Sequence, residues 1–216
     1  NWYSALTGGT SLGTGNTLSV PGALTPATYY AELVDSNVSS FNSGATVSNG
    51  LGGGMFDMDI LRNLVLNSFD IYVDAGTYDF EIYYRQGTCI GNQNNPAVWT
   101  KIANYTGNAS AAGGYRHFDL PTSLTLKAGQ KYAFYITSTT AYTGGPVRYQ
   151  TASGTTGDIF KQTGDIIVHT GYGLVPPFSA TYYEPRMLVF TANFTRPACT
   201  TLPRTPVTLA IDTLPG

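Results

Sequence analysis

The chain has 216 residues, a formal net charge of −2 and 11% charged residues. Its 11 basic side chains do not cluster, so neither a nucleic acid nor an anionic membrane surface is expected as a partner. The 16 Tyr, 10 Phe and 25 Gly, without convincing helical periodicity, favour β-strands joined by turns. No apolar run is long enough to span a bilayer, so membrane insertion is not expected.

Residues 1–34 read as short strands separated by Gly- and Thr-rich turns. Strands are predicted at Trp2–Tyr3, near Thr17–Val20 and at Thr28–Leu33. This spacing is typical of an antiparallel β-sandwich.

Residues 64–85, LVLNSFDIYVDAGTYDFEIYYR, show the clearest period-two alternation in the chain. Two strands are predicted here, each with one buried and one exposed face. The parity of the apolar positions requires an even-length loop, so the four-residue turn Asp74–Thr77 predicts a β-hairpin. The predicted cross-strand pairs are Phe69 with Ile82, Ile71 with Phe80, and Val73 with Tyr78.

The outer face of this predicted hairpin is acidic. Its register places Asp70 opposite Glu81, with Asp79 on the same face, and such hard oxygen ligands suit calcium. The alternative is a solvated face whose charges are balanced by Arg62, Arg85 or a nearby lysine.

Further strands are predicted along residues 36–195, which together suggest a two-sheet sandwich of jelly-roll type. The predicted segments are Met55–Ile60, Ala97–Ile102, Tyr115–Asp119, Leu124–Leu126, Lys131–Thr139, Val147–Tyr149, Asp158–Phe160, Asp165–His169 and Arg186–Phe194.

Residues that could carry catalysis are sparse. His117 and His169 lie in no nucleophile elbow and at no metal-ligand spacing, so surface positions on strands are expected for both. Asp57 and Asp59 share one side of their strand and are either a second oxygen site or solvated carboxylates. Enzyme activity is therefore not expected.

Two cysteines, Cys89 and Cys199, are far apart in the sequence. They either form one disulfide or remain separate, with Cys89 in a loop. The spacing says little about the redox compartment, and separate cysteines are the favoured interpretation.

Aromatic side chains offer a different kind of site. Tyr72 and Tyr83 are expected on the outer face of the hairpin by parity, and Trp99 follows a polar loop. Because aromatic faces stack on sugar rings, these three residues are candidates for glycan binding. The alternative is the Tyr-rich exposed surface of a rigid structural β protein.

The segment WYSALTGGTSLGTGNTLSVPGALTPATYYAEL, residues 2–33, resembles the Ig-like repeats of large surface proteins that Bacteroidota export by type IX secretion. The closing segment expected directly after it is similar to Cys199–Ile211 instead. The resemblance implies a split Ig-like module, residues 1–35 plus 196–216, that lacks its first strands and carries a β domain inserted at 36–195. Asp212–Leu214 resembles the O-glycosylation sites of these bacteria, with Thr213 as the acceptor.

Segments of the insert such as NPAVWTKI and LKAGQKYAFYITST resemble an uncharacterised β-sandwich domain of secreted bacterial proteins; Cys89 departs from that pattern. Together the resemblances imply a structural or adhesive extracellular module of a large cell-surface or filament-forming protein. Neighbouring modules or subunits are expected to complete the Ig-like unit by β-strand complementation. The alternative function is a carbohydrate-binding module that attaches its parent protein to polysaccharide.

Overall fold

The computed structural model describes residues 1–32, 38–140, 145–175, 177–197 and 204–210. The chain divides into two compact units: Asn1–Asn37 with Pro197–Gly216, and Val38–Arg196. Both consist of antiparallel strands, and the one helical element in the described residues is a 3₁₀ turn at Pro96–Val98. The prediction of an all-β antiparallel fold is confirmed. None of the described residues form a helix long and apolar enough to cross a membrane.

The strands, numbered along the chain, are β1 (Trp2–Tyr3), β2 (Ala27–Ala31), β3 (Val38–Asn42), β4 (Asn49–Leu51), β5 (Gly53–Ile60), β6 (Leu64–Val73), β7 (Gly76–Gln86), β8 (Thr100–Ser110), β9 (Gly114–Leu126), β10 (Lys131–Ser138), β11 (Val147–Thr151), β12 (Ile159–Gln162), β13 (Ile166–Leu174), β14 (Tyr182–Leu188), β15 (Phe190–Thr195) and β16 (Thr205–Leu209).

The small unit is a three-stranded sheet in the order β1-β2-β16. Its register places Trp2, Tyr29 and Val207 on one face, because side chains that are paired or two residues apart share a face. The strand predicted near Thr17–Val20 is wrong. Those residues are irregular, and they line a groove on this face instead of joining the backbone ladder.

The large unit is a two-layer sandwich. One layer runs β8-β7-β10-β5-β13-β14, the other runs β9-β6-β15-β3, and β11 pairs with both β14 and β6. Aromatic rings from opposite layers pack face to face or edge to face across the interior. The centroid distances are 4.3 Å for Phe56 and Phe190, 5.3 Å for Phe69 and Phe134, and 5.0 Å for Phe80 and Phe118.

The predicted β-hairpin at residues 64–85 is wrong, although both of its strands exist. β6 pairs with β9 and β15, whereas β7 pairs with β8 and β10. The two strands lie in opposite layers and meet through their apolar side chains, so the connection is an arch. Asp70 is consequently paired with His117 of β9, and Glu81 is paired with Asn104 of β8 and Thr137 of β10.

Two arginines hold this arch. Arg116, a buried residue of β9, donates through Nη2 to the main-chain oxygens of Asp74 at 2.6 Å and Gly76 at 3.0 Å. Its Nη1 donates to the main-chain oxygen of Asn108 at 2.6 Å and to the Asn108 side chain at 3.0 Å. Arg148 of β11 binds the Asp74 carboxylate with two nitrogens. In a hairpin, main-chain oxygens beside the turn accept hydrogen bonds from the opposite strand. Here the oxygens of Asp74 and Gly76 accept them from the Arg116 guanidinium instead.

The chain passes from the small unit to the large unit after β2 and returns before β16. In each unit, the two strands that flank these two crossings are paired with each other. Ala31 of β2 is the partner of Thr205 of β16 in the small unit. Val38 of β3 is the partner of Thr195 of β15 in the large unit. Each unit therefore has its connection points one strand spacing apart, about 5 Å.

Candidate binding surface

A second apolar cluster lies on the outside of the layer that contains β7, β10, β5 and β13. Alternation places Phe134 of β10 in the interior, so the neighbouring Tyr135 faces outward. We call this group the outer cluster. Its buried members are Met55, Cys89, Trp99, Ala133, Tyr135, Tyr172 and Leu174, and Tyr83, Phe178 and Tyr182 pack against them.

The loop between β7 and β8 folds back over the sheet and covers part of the outer cluster. The buried Asp57 carboxylate accepts hydrogen bonds from the Thr88 hydroxyl and, at 2.8 Å, from the Cys89 backbone N–H. Trp99 follows the 3₁₀ turn and donates from Nε1 to the Asn92 oxygen at 3.0 Å. The loop is thus fixed at its start by a buried carboxylate and at its end by the indole.

Trp99, a predicted glycan-stacking residue, is 7% exposed. The ring is covered because the loop returns to the sheet and because Phe178 packs beside it, with centroids 6.1 Å apart. Trp99 is therefore not an open stacking platform in this conformation, which corrects the expectation of a surface-exposed ring.

Tyr83, the second predicted stacking residue, is half-buried at the edge of the outer cluster. Its hydroxyl donates to Glu81 at 2.5 Å, and Lys101 binds the other Glu81 oxygen at 2.8 Å. Burial acts to raise the pKa of Glu81, but the hydrogen bonds from Lys101 and Tyr83 outweigh it and the pKa is lowered. Burial and the adjacent Glu81 carboxylate raise the pKa of Tyr83.

The structure does not bring the predicted calcium ligands together. Asp70 lies in the other layer from Asp79 and Glu81, because β6 and β7 form an arch. Asp79 accepts from the backbone N–H of Gly107 at 2.7 Å, while Glu81 is paired with Lys101. Within the described ranges, no group of three or more His, Cys, Asp or Glu side chains is placed to hold a metal ion.

Asp70 belongs instead to a polar cluster on the outside of the β9-β6-β15 layer. His117 lies between two carboxylates, with Nδ1 2.6 Å from Asp70 and Nε2 3.0 Å from Asp119. Asn193 donates to the other Asp70 oxygen at 2.8 Å. The hydrogen bond to Asp70 raises the pKa of His117. The group is an exposed ionic bridge between strands, since half of the His117 side chain is accessible.

Tyr72, the third predicted stacking residue, lies on this same outer surface. Its ring packs edge-on against that of Tyr115, with centroids 5.4 Å apart. Tyr115 is 50% exposed, so this pair offers an accessible aromatic surface, though a small one.

The buried thiol and the second histidine are both engaged. Burial, followed by the charge of Asp57, raises the pKa of Cys89 well above its usual value. His169 contacts the Gly157 oxygen through Nδ1 at 2.9 Å and Asp59 through Nε2 at 2.7 Å. Asp59 also binds Lys131, at 2.9 Å. Asp57 and Asp59 thus serve different partners and do not form one oxygen site.

The small unit has an apolar groove of about 130 Å³ on one face of its sheet. Its lining includes Trp2, Leu18, Val20, Tyr29, Val207 and Leu209.

Thr213, the predicted O-glycosylation acceptor, and Cys199 lie outside the described residues.

Of the four rings that meet in the outer cluster, sequence reasoning named Tyr83 and Trp99 and missed Tyr135 and Phe178. Tyr135 could have been found, since it alternates with the apolar Phe134 in a predicted strand. Phe178 carries no such signal, because it lies in an aperiodic loop after β13.

Comparisons with known proteins give one family match. Residues 1–48 match the family described as Ig-like domain, CHU_C associated. The match extends from the small unit into β3 (Val38–Asn42), which pairs in the large unit. A search of curated proteins returns no match.

Solved structures show distant likenesses. The cysteine protease and lectin-like domains of a surface layer associated protein of Clostridium difficile match at 16% identity and a TM-score of 0.40, over 67% of this chain and 32% of that chain. A clostridial cysteine protease after propeptide cleavage matches at 16% identity and 0.40, over 74% and 40%. The VP2 subviral particle of infectious bursal disease virus matches at 10% identity and 0.22, over 90% and 49%.

This chain thus spans less than half of the length of each of those three chains. At these scores none of the likenesses bears on function. The predicted resemblance is supported for its Ig-like part alone, through the match of residues 1–48.

Proposed function

We propose that the chain is a structural module of an extracellular surface protein, in which the small Ig-like unit is the host and the large sandwich is a guest inserted between β2 and β16. The observation that carries the proposal is that the strands beside the two crossings are paired in each unit: Ala31 with Thr205 in the small unit and Val38 with Thr195 in the large unit. The Ig-like match at residues 1–48 supports the extracellular setting. Loop sites tolerate such insertions because the flanking strand ladder is retained.

The nested arrangement determines how tension passes along the chain. A pull on the host reaches the guest only after β2 has separated from β16, because their pairing joins the two connections to the guest. The guest therefore stays folded while the host is loaded. This property suits a stalk module of a surface or filament-forming protein, which must display a folded domain under stress.

Single-molecule force spectroscopy on the full chain, with handles at its two ends, tests the proposal. Loss of the host is expected first, followed by one long extension of about 55 nm from the roughly 160 residues of the guest at ~3.5 Å each. A long step that precedes loss of the host would refute the nested arrangement.

We further propose that the apolar groove of the small unit accepts a β-strand from a neighbouring module or subunit. Val207, in the groove lining, lies on the edge strand β16, whereas the outer edge of β1 is already bonded to Leu12 and Gly13. Added strands commonly complete such an edge. The isolated chain is expected to self-associate in light scattering, and Val207→Glu to reduce this. Leu24→Glu, at an exposed position outside the groove lining, is the matched control. A stable monomer that unfolds cooperatively would contradict the proposal.

A non-catalytic role is part of this proposal. Both ring nitrogens of His117 and of His169 lie against oxygen atoms, and the Cys89 thiol is buried. A nucleophile needs a base within hydrogen-bond reach and access for a substrate. Hydrolysis of peptide or glycan substrates by the purified chain would overturn this part.

Carbohydrate binding is the second candidate function. It is favoured by the rings of Tyr83, Trp99, Tyr135 and Phe178, which gather on the outside of a sandwich layer beside the ion pair of Glu81. Aromatic faces with polar groups at their rim are the usual chemistry of sugar recognition.

A further inference from the structure

We propose that Tyr83, Trp99 and Tyr135 form a closed carbohydrate-binding site in which the side chain of Phe178 occupies the place of a hexopyranose ring. The Phe178 centroid lies 5.0 Å from that of Tyr83, 4.9 Å from Tyr135 and 6.1 Å from Trp99. The interplanar angles are 79°, 66° and 53° in the same order, so the site accommodates one six-membered ring that meets three aromatic rings edge to face or at a tilt. The inference rests on the carbohydrate-binding candidate and is independent of the structural role.

The three surrounding rings are held by partners other than the Phe178 side chain. Trp99 donates to the Asn92 oxygen at 3.0 Å, and Tyr83 donates to Glu81 at 2.5 Å. The Tyr135 hydroxyl, which also meets the backbone of Phe178, donates to Thr137 at 3.0 Å. Removal of the Phe178 side chain therefore leaves a preformed site, and preformed sites bind with a smaller ordering cost.

Phe178 lies in a loop and has a strained backbone, whereas Tyr83 and Tyr135 lie on strands β7 and β10. Its φ is 52°, the one positive value for a non-glycine residue in the described ranges, and this conformation costs about 1–2 kcal/mol for an L-residue. Its loop is closed by a long hydrogen bond from the Val175 N–H to the Thr181 oxygen, 3.4 Å. A backbone movement of the loop that takes the ring out of the site would release this strain, which offsets part of the packing free energy that the ring gives up.

The rim of the site favours a sugar over another aromatic group. Glu81 and Lys101 form an ion pair beside Tyr83, with 49% of the Lys101 side chain accessible. A pyranose presents apolar C–H groups to an aromatic face and hydroxyls at its edge, where a carboxylate can accept and an ammonium can donate. An aromatic side chain of a peptide has no hydroxyl groups with which to bind this ion pair.

The experiment compares the full chain with Phe178→Ala and Phe178→Gly, all in a Trp2→Phe background so that Trp99 is the remaining tryptophan. Cellohexaose, xylohexaose, mannohexaose and chitohexaose are titrated by Trp99 fluorescence and calorimetry. At least one is expected to bind both variants tenfold or more tightly than the parent, because the competing ring is gone. Adding Tyr83→Ala to Phe178→Ala is expected to abolish this gain. Tyr115→Ala, which removes an exposed ring in the other layer, is the matched control.

Three results would overturn the inference: no saturable binding of any of the four sugars by folded Phe178 variants, equal affinity in parent and variants, or tighter binding of N-acetyl-phenylalaninamide than of every sugar. Circular dichroism establishes folding, and Phe178→Gly, which suits the positive φ, covers the case in which the alanine variant misfolds. The force experiment depends on the pairing of β2 with β16 and does not involve this site. Failure of the sugar-binding experiment therefore leaves the structural proposal unaffected, and the reverse also holds.

Discussion

Replacing Arg116 by alanine is expected to lower the free energy of unfolding of the large unit by about 3–5 kcal/mol. The guanidinium is buried and donates to main-chain oxygens of Asp74, Gly76 and Asn108. Its plane also lies over the Tyr78 ring, 5.6 Å from the centroid. Each hydrogen bond from a charged donor contributes about 1.5–3 kcal/mol. The net loss of stability is smaller than the sum of these hydrogen bonds, because the alanine variant no longer has to bury a charged group. The cost of that burial is the desolvation that lowers the pKa of Arg116.

Urea unfolding followed by Trp99 fluorescence, in the Trp2→Phe background, reads the large unit alone. Arg116→Lys is expected to lose about 1–3 kcal/mol, since an ammonium carries charge but lacks the fork that reaches oxygens on either side of the arch. Arg62→Ala, at an exposed loop position, is the matched control and is expected to stay within about 0.5 kcal/mol of the parent. A loss below about 1 kcal/mol for Arg116→Ala, at an unchanged denaturant slope, would refute the view that this arginine holds the arch.

Three further predictions concern single residues. His117→Gln should destabilise the large unit most below pH about 6.5, because the pKa of His117 is raised in the folded state. In urea melts, the stability difference from the parent should shrink as the pH rises through that raised pKa, and a pH-independent difference would contradict the prediction. Cys89 in a Cys199→Ser background should not react with a disulfide reagent at pH 8 until urea unfolds the chain, and rapid native labelling would show that the thiol is not buried. Gly76→Ala should lower the melting temperature, because φ is +136° and an added Cβ would lie 2.6 Å from the Tyr78 hydroxyl; an unchanged temperature would show that the arch adapts.

The arch shows where periodicity stops being informative. Alternation correctly placed Phe69, Ile71 and Phe80 in the core, and all three are fully buried. It could not identify the partners of β6 and β7, because it reports which face is apolar and not which strand lies alongside. A short connection fits both a hairpin and an arch. The choice depends on Arg116 and Arg148, which lie about 40 and 70 residues further along the chain.

The outer cluster shows a second limit. The position of Trp99 depends on the buried Asp57, whose carboxylate holds the start of the covering loop. In sequence Asp57 reads as one of two alternating acids on a strand, and nothing local distinguishes it from Asp59. Burial of a carboxylate becomes favourable only when its hydrogen-bond donors are placed by the fold. The strands and the all-β class were therefore predictable, whereas the geometry of the candidate site was not.

The pairing of Val38 with Thr195 has a consequence for protein engineering and for evolution. A domain whose two ends are neighbours in one ladder can be moved as a cassette into the tip of another antiparallel hairpin, since every such hairpin offers two ends at a similar spacing. The recipient needs no surface that matches the transferred domain. Recombination can therefore change what such a scaffold displays without rebuilding the scaffold itself.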